Sequence, residues 1–275
     1  MLVTGCSSGI GQATALALAR AGFPVWASAR KAGGLAELRR AGCRVLELDV
    51  TDEQSRAAAV RLVEAEHGAV GVLVNNAGHG GGGPVEEVPL GIVRETFETN
   101  VFAVIRMCQL VLPGMRAQRS GLIVNIGSAA GLVTPPTGCP YAMTKYALES
   151  LSDALRPEVA PFGIRVVEIL PGPVDTDMFR LSTGEQDAAR FSDYRGLSDV
   201  AGELRRAHAD PRVVEPAVAA SAIVDAIEDS SGPMRYGCDP VSYELMELWR
   251  QHDDETVYAL TAQSMLDMLS PEARG

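Results

Sequence analysis

The chain has 275 residues, 47% of them hydrophobic and 21% charged. That is ordinary globular usage, which excludes disordered, collagen-like and coiled-coil classes, and a chain of this size buries about three quarters of its unfolded surface without a disulfide or metal staple. The net charge of −11 argues against nucleic acid and anionic membranes as partners, because phosphate contacts need clustered Lys and Arg. In chain order, a short β-like run, Leu2-Val3, precedes a glycine cluster over 5–11 and a helical stretch over 12–21. A strand over 25–29, a helix over 35–41 and a strand over 45–48 follow. A helix starts at Thr51, with apolar positions at Ala59, Val60, Val63 and Ala65. Then come a strand over 72–74, a long helix over 92–118, a strand over 121–126, a helix over 141–160 and a strand over 165–170. This alternation predicts an α/β fold, a Rossmann-like, doubly wound parallel sheet with helices on both faces. The stretch 175–213 is polar and aperiodic and reads as a lid. A helical pattern over 215–228 and one or two helices within 240–269 make a C-terminal extension over 215–275. It is acidic: from Arg180 onward the chain carries 9 basic and 18 acidic residues, against 15 and 17 before it. Residues 1–275 are expected to form a single domain.

Five cysteines, Cys6, Cys43, Cys108, Cys139 and Cys238, are odd in number, widely spaced and free of any CxxC pair. They point to a reducing cytoplasm rather than to a disulfide framework or a zinc site. His67, His79, His208 and His252 are scattered, so no metal is assigned. No apolar run reaches the length of a membrane span, and the first residues lack the charged and apolar regions of a signal peptide.

Three groups of residues carry chemistry. In Thr4-Gly5-Cys6-Ser7-Ser8-Gly9-Ile10-Gly11, glycines between a strand and a helix let the backbone turn tightly and approach a pyrophosphate, while the helix start offers free N–H groups and a partial positive charge. The spacing is GxxxGxG rather than GxGxxG, and a bare glycine cluster can also be a simple turn. At the end of the second strand stand Arg30 and Lys31, with no acidic residue between Val25 and Gly34. An acidic group there binds the ribose of NAD, whereas Arg accommodates the 2′-phosphate of NADP. The expectation is therefore NADP(H), with NAD(H) possible; the competing reading is a pair of solvated surface charges. Tyr141 and Lys145, four apart on one helix, share a face. A free Tyr has a pKa of about 10, and a neighbouring ammonium stabilises its phenolate, bringing it nearer the range for proton transfer. Ser128 lies at the carboxyl end of the 121–126 strand, the edge where such sheets bind ligands, and its hydroxyl can hold a substrate oxygen.

Taken together these motifs resemble the short-chain dehydrogenase/reductases, in their single-domain branch. The resemblance covers about residues 1–178 and includes the glycine motif, Asp49, Asn75-Asn76-Ala77-Gly78, Asn100, Ser128, Tyr141-x-x-x-Lys145 and Pro171-Gly172-x-x-x-Thr176, all in family order. It implies an oxidoreductase that interconverts a carbonyl and a secondary alcohol, with Tyr141 as general acid or base, Lys145 lowering its pKa and binding the nicotinamide ribose, Ser128 orienting the carbonyl and Asn100 holding a water in a proton relay. It implies cofactor contacts from Gly5, Ser7, Ser8, Gly9, Ile10, Arg30, Asp49, Val50, Asn76, Ala77 and Gly78, from Tyr141 and Lys145, and from Pro171, Gly172, Val174 and Thr176. The local sequence around 25–30 and 163–176 looks most like hydroxysteroid and retinoid dehydrogenases, which implies an apolar small-molecule substrate; Met178, Phe179, Phe191 and Tyr194 in the lid would suit it, or pack the lid against the body. The resemblance also implies a homodimer or homotetramer through the helices over 92–118 and 141–160. The alternatives are a non-catalytic NADP(H) sensor of the same fold and a nucleotide-sugar epimerase or dehydratase. Two departures stand out: the first strand, expected in the middle of the sheet, is short and should weaken it, and Met143-Thr144 replace the usual Ala-Ser before the lysine.

Overall fold

The computed structural model of the chain describes residues 1–182, 194 and 212–263. Short β-branched and aliphatic runs form β1 (Leu2–Val3), β2 (Trp26–Ala29), β3 (Arg44–Glu47), β4 (Val72–Asn75), β5 (Gly121–Ile126) and β6 (Ile164–Leu170), and a polar run forms β7 (Arg235–Gly237). Among the described residues these pair into one seven-stranded sheet of order β3-β2-β1-β4-β5-β6-β7, parallel throughout. The order reverses between β1 and β4, which opens the crevice at the carboxyl ends where such sheets bind ligands. The doubly wound sheet expected from the sequence is the fold observed.

The helices are α1 (Gly9–Arg20), α2 (Ala36–Arg40), α3 (Glu53–His67), α4 (Leu90–Phe97), α5 (Ala103–Gln118), α6 (Cys139–Val159), α7 (Asp177–Ser182), α8 (Pro216–Glu228), α9 (Pro240–Gln251) and α10 (Asp254–Tyr258). The strand period of two sorts side chains onto two cores. Val3, Val74, Val124 and Ile169 join Leu18 of α1 and Ile223 of α8 on one face. Leu2, Leu73, Ile123 and Val166 join Val63 of α3, Met107 of α5 and Leu148 of α6 on the other. Each fully buried aliphatic chain contributes about 1.5–3 kcal/mol. Chain-order signals mark the helix starts: the Asp52 carboxylate accepts the Ser55 N–H at 2.7 Å ahead of α3, and Asp239 with Ser242 forms a capping box ahead of α9.

The structure departs from the sequence reading, or decides what it left open, in four places. The long helix over 92–118 is two helices, α4 and α5, joined by a π-helical turn, Glu98–Phe102, whose extra residue shifts the side chains off the regular helical face and sets Asn100 in the interior. Strand β7 has no apolar run to announce it; it exists because its backbone pairs with β6, Glu168 opposite Arg235. The two-residue β1 is supported on both sides beyond its own length: Trp26 N–H donates to Met1 C=O at 2.8 Å, Thr4 N–H to Val74 C=O at 3.1 Å and Cys6 N–H to Ser28 C=O at 2.7 Å. Finally, residues 216–258 are built into the body, with α8 packed on α1 and β7 in the sheet.

The stretch expected to form a lid is flanked by a bridge between Val174 and Val214 and includes α7 near its start. Residues 183–193, Phe191 among them, and 195–211 lie outside the described residues, as do 264–275. In the helical stretch over 92–118, expected to take part in an oligomer contact, Val101, Val104, Met107 and Val111 are buried within the chain itself. Among the described residues no helix is long and apolar enough to cross a membrane.

Candidate active site

The loops leaving the carboxyl ends of β1 to β6 carry nearly all the residues singled out from the sequence. Gly5, Ser7 and Ser8 lie in the turn from β1, and Gly9 and Ile10 open α1. Gly5 and Gly9 have φ of +72° and +58°, a region glycine enters without strain. Space matters as much: a Cβ on Gly5 would come within 2.7 Å of the Ala77 Cα, and one on Gly9 within 3.0 Å of Thr176 Cγ2. The turn thus touches the loop after β4 on one side and the loop after β6 on the other. Asn76 fastens it, its Nδ2 donating to Thr4 C=O at 2.8 Å and Gly5 C=O at 3.2 Å. Among the described residues no side chain caps the start of α1 at Ser8, so the helix end offers its N–H groups and partial positive charge to an anion. This cradle fits a dinucleotide pyrophosphate.

Arg30 projects into solvent just past β2. Asp49 and Val50 follow β3; hydrogen bonds from Thr51, with help from Arg30 and Arg56, hold the Asp49 carboxyl below its usual range. Val50 and Ala77 line one shallow depression together with Thr99. Gly78 follows β4 and lies against the tip of Met178. Pro171, Gly172, Val174 and Thr176 follow β6, and the Gly172 N–H donates to the buried Asp239 carboxylate at 2.6 Å.

The residues expected to carry the chemistry come from the loop after β5, the π-helical turn and α6. Lys145 is buried, 6% exposed. Its Nζ donates to Ile126 C=O at 2.7 Å and stands 5.4 Å from the centre of the Tyr141 ring. Asn100 accepts the His79 N–H at 2.7 Å through Oδ1 and donates through Nδ2 to His79 C=O at 2.9 Å and to Thr144 Oγ1 at 3.0 Å. Thr144 in turn donates to Tyr141 C=O at 2.6 Å, so Asn100 is tied to the first turns of α6. Ser128 Oγ accepts the Ala130 N–H at 3.1 Å and donates to Pro171 C=O at 3.3 Å, which joins the loops after β5 and β6. Tyr194, in the stretch expected to form a lid, donates to the Glu86 carboxylate at 2.6 Å.

The sequence reading left several supporting residues unremarked. Thr4 Oγ1 accepts N–H groups from both Asn76 and Ala77 at 3.0 Å. Asp239 caps α9 and also holds Gly172, a pairing visible only in three dimensions. Beneath the site, Asn75 Nδ2 donates to Asn125 Oδ1 at 2.9 Å and Asn125 Nδ2 to Ser152 Oγ at 3.0 Å. Next to them Glu168 is fully buried. Burial pushes the thiols of Cys6 and Cys108 up to about 12, so neither supplies a thiolate at neutral pH. Among the described residues no cluster of His, Cys, Asp or Glu could hold a metal ion.

The family model described as short chain dehydrogenase matches residues 1–187. A 3-ketodihydrosphingosine reductase of Bacteroides thetaiotaomicron is 37% identical over 203 residues, 74% of this chain and 69% of its own. An NADPH-dependent 3-dehydrocapnine reductase of Ornithobacterium rhinotracheale is 34% identical over 202 residues, 70% of this chain and 71% of its own. Among solved structures, a short-chain dehydrogenase from Streptomyces avermitilis superposes with a TM-score of 0.77 at 34% identity, covering 94% of this chain and 93% of its own. A short-chain dehydrogenase/reductase from Burkholderia phymatum in complex with NAD superposes with a TM-score of 0.75 at 26% identity, covering 92% and 95%.

Proposed function

The chain belongs to the short-chain dehydrogenase/reductase family of oxidoreductases, and from that premise we propose that it interconverts a carbonyl and a secondary alcohol on an apolar small molecule with NADP(H). The observation that carries this reading is the Lys145 ammonium, buried, held by the Ile126 carbonyl and set 5.4 Å from the Tyr141 ring. The bound nicotinamide supplies or accepts the hydride. Ser128, with its hydroxyl at the edge of the site, orients the carbonyl oxygen. Tyr141 gives its phenolic proton to that oxygen during reduction and takes it back during oxidation. A positive charge beside the phenol stabilises the phenolate left by that transfer, which is the work of Lys145. Asn100, pinned on His79 and Thr144, fixes the first turns of α6 so that Tyr141 and Lys145 keep their positions. The family's water relay through Asn100 is part of the same proposal.

Arg30, exposed beyond β2 where no acidic residue stands, supports a preference for the 2′-phosphate; a relative named as NADPH-dependent supports it too. Two relatives named as reductases support the direction of carbonyl reduction. The expectation of a single domain over 1–275 with a substrate lid over 175–213 belongs to the same proposal. The test is fluorescence titration of NADPH and NADH against the wild type and Arg30→Ala, followed by NADPH oxidation with acetophenone and ethyl acetoacetate. Tighter NADPH binding that Arg30→Ala abolishes, with turnover that Tyr141→Phe removes, is the expected result. Cofactor binding without turnover of any carbonyl would favour the sensor.

A further inference from the structure

Four side chains lie in register across four neighbouring strands near the carboxyl edge of the sheet. Asn75 pairs with Asn125, Asn125 with Glu168 and Glu168 with Arg235. Helix α6 covers this row: Ser152 accepts from Asn125, and Glu149 and Asp153 receive the Arg235 guanidinium. The row therefore runs from the middle of the sheet to solvent at Asp153. Within it Glu168 is the exception. It is 0% exposed, and no well-formed hydrogen bond reaches either of its carboxyl oxygens, although the Ser152 hydroxyl beside it favours its charged form.

Its position is specific. A Cβ on Gly127 would come within 2.7 Å of Glu168 Oε1, so the carboxyl group lies directly beneath Gly127. Gly127 stands between Ile126, whose carbonyl receives Lys145 Nζ, and Ser128. Helix α6 contributes the Lys145 ammonium and the Glu149 and Asp153 carboxylates around Glu168; β7 contributes the Arg235 guanidinium; β4 and β5 contribute the neutral Asn75 and Asn125. Two carboxylates, Glu149 and Glu168, thus compete for one guanidinium, and Arg235 is already committed to Glu149 and Asp153. A buried, unpaired carboxylate is costly, and the group takes up a proton instead. Burial first, and the neighbouring Glu149 second, push Glu168 up to about 8.

We propose that Glu168 is a positioning residue for Lys145: as a neutral acid beneath Gly127 it leaves the lysine's charge directed at Tyr141, and its ionisation disables the site. The physical reason is competition. A carboxylate there attracts the ammonium away from the Ile126 carbonyl and cancels the field that stabilises the phenolate. This rests on the reading of Tyr141 and Lys145 given above. Neither residue is needed to place Glu168 in the fold, and the sequence signal, a lone Glu in the apolar run of β6, has no other evident use.

The experiment is the pH dependence of kcat for NADPH oxidation with ethyl acetoacetate, in the wild type and in Glu168→Gln, which has the shape and charge of the neutral acid. Glu168→Gln is expected to keep kcat at neutral pH within about threefold of wild type, while its alkaline fall in activity moves up by about one pH unit or more. An unchanged profile in an active Glu168→Gln overturns the proposal and leaves the functional reading intact. Loss of kcat at every pH in a folded variant also overturns it, since the neutral form is then insufficient. A wild type that turns over no carbonyl sinks the functional reading, and this inference with it. Should Glu168→Gln not fold, infrared difference spectra of the wild type decide. The C=O stretch of a protonated carboxyl, sealed from rapid exchange, must disappear with the midpoint of the activity loss; no such band titrating between neutral and alkaline pH refutes the assignment.

Discussion

The two faces of the sheet reach the carboxyl edge with opposite chemistry. On the face of α1 and α8 the strands stay apolar to their ends, with Val124 and Ile169 packed around Ile223. On the face of α5 and α6 the aliphatic side chains give way to Asn75, Asn125 and Glu168, all buried. Apolar packing is non-directional and proportional to area, so the first face supplies stability with little angular demand. The polar row is directional, each partner fixed by hydrogen-bond geometry or by charge, and it lies under Gly127, the residue between the support of Lys145 and Ser128. The contrast separates holding the fold from aiming the site.

The contrast can be tested from the active group outward. Tyr141→Phe should lower kcat by about 10²–10⁴-fold, the usual contribution of a general acid, with melting temperature and NADPH affinity unchanged; steady-state kinetics and calorimetry check it. On the apolar face, Leu18→Ala or Ile223→Ala should cost about 2–5 kcal/mol in urea unfolding, with the kcat of the folded fraction unaltered. A fall in kcat there would erase the distinction between the faces. On the polar face, Asn125→Ala leaves Asn75 and Ser152 without their shared partner and should cost about 1–3 kcal/mol, this time with a drop in kcat, because the row that supports the Lys145 anchor is broken.

The last test reads a slope. Glu168 has a folded pKa of about 8 against 4.5 in a free chain. Between those values the native state keeps a proton that the unfolded state has released, so stability falls as pH rises through that window. Its contribution is complete below about 4.5 and lost by about 8. Thermal melts across this range should show the fall in wild type and in Leu18→Ala, and a flatter line in Glu168→Gln.

Much of the fold and of the candidate site was legible because its signals are local. Alternating apolar runs place the strands up to β6, and the helical stretches between them follow from their own spacing. Tyr141 and Lys145 share a face through helical spacing alone. Strand β7 escaped because Arg235-Tyr236-Gly237 has no pattern of its own and is a strand only by pairing with β6. The π-helical turn escaped because Glu98–Phe102 reads as ordinary helix; its extra residue is accommodated by packing around Asn100, not by any local propensity. Glu168 stands within the apolar stretch Val166–Leu170 of β6, yet nothing near it in the chain shows what faces it.

The sequence by itself determined the strand–helix alternation, the glycine turn at the sheet's carboxyl edge, Arg30 where no acid competes, and the Tyr141–Lys145 spacing. Each follows from backbone sterics and side-chain period over a few residues. Only the tertiary structure decided that Asn75, Asn125, Glu168 and Arg235 form one row, that Asp239 holds Gly172, and that Glu168 lies beneath Gly127. Strand register joins residues distant in the chain, and the proton affinity of a carboxyl group depends on how much water and which charges surround it, which is settled when helix α6 closes over the sheet.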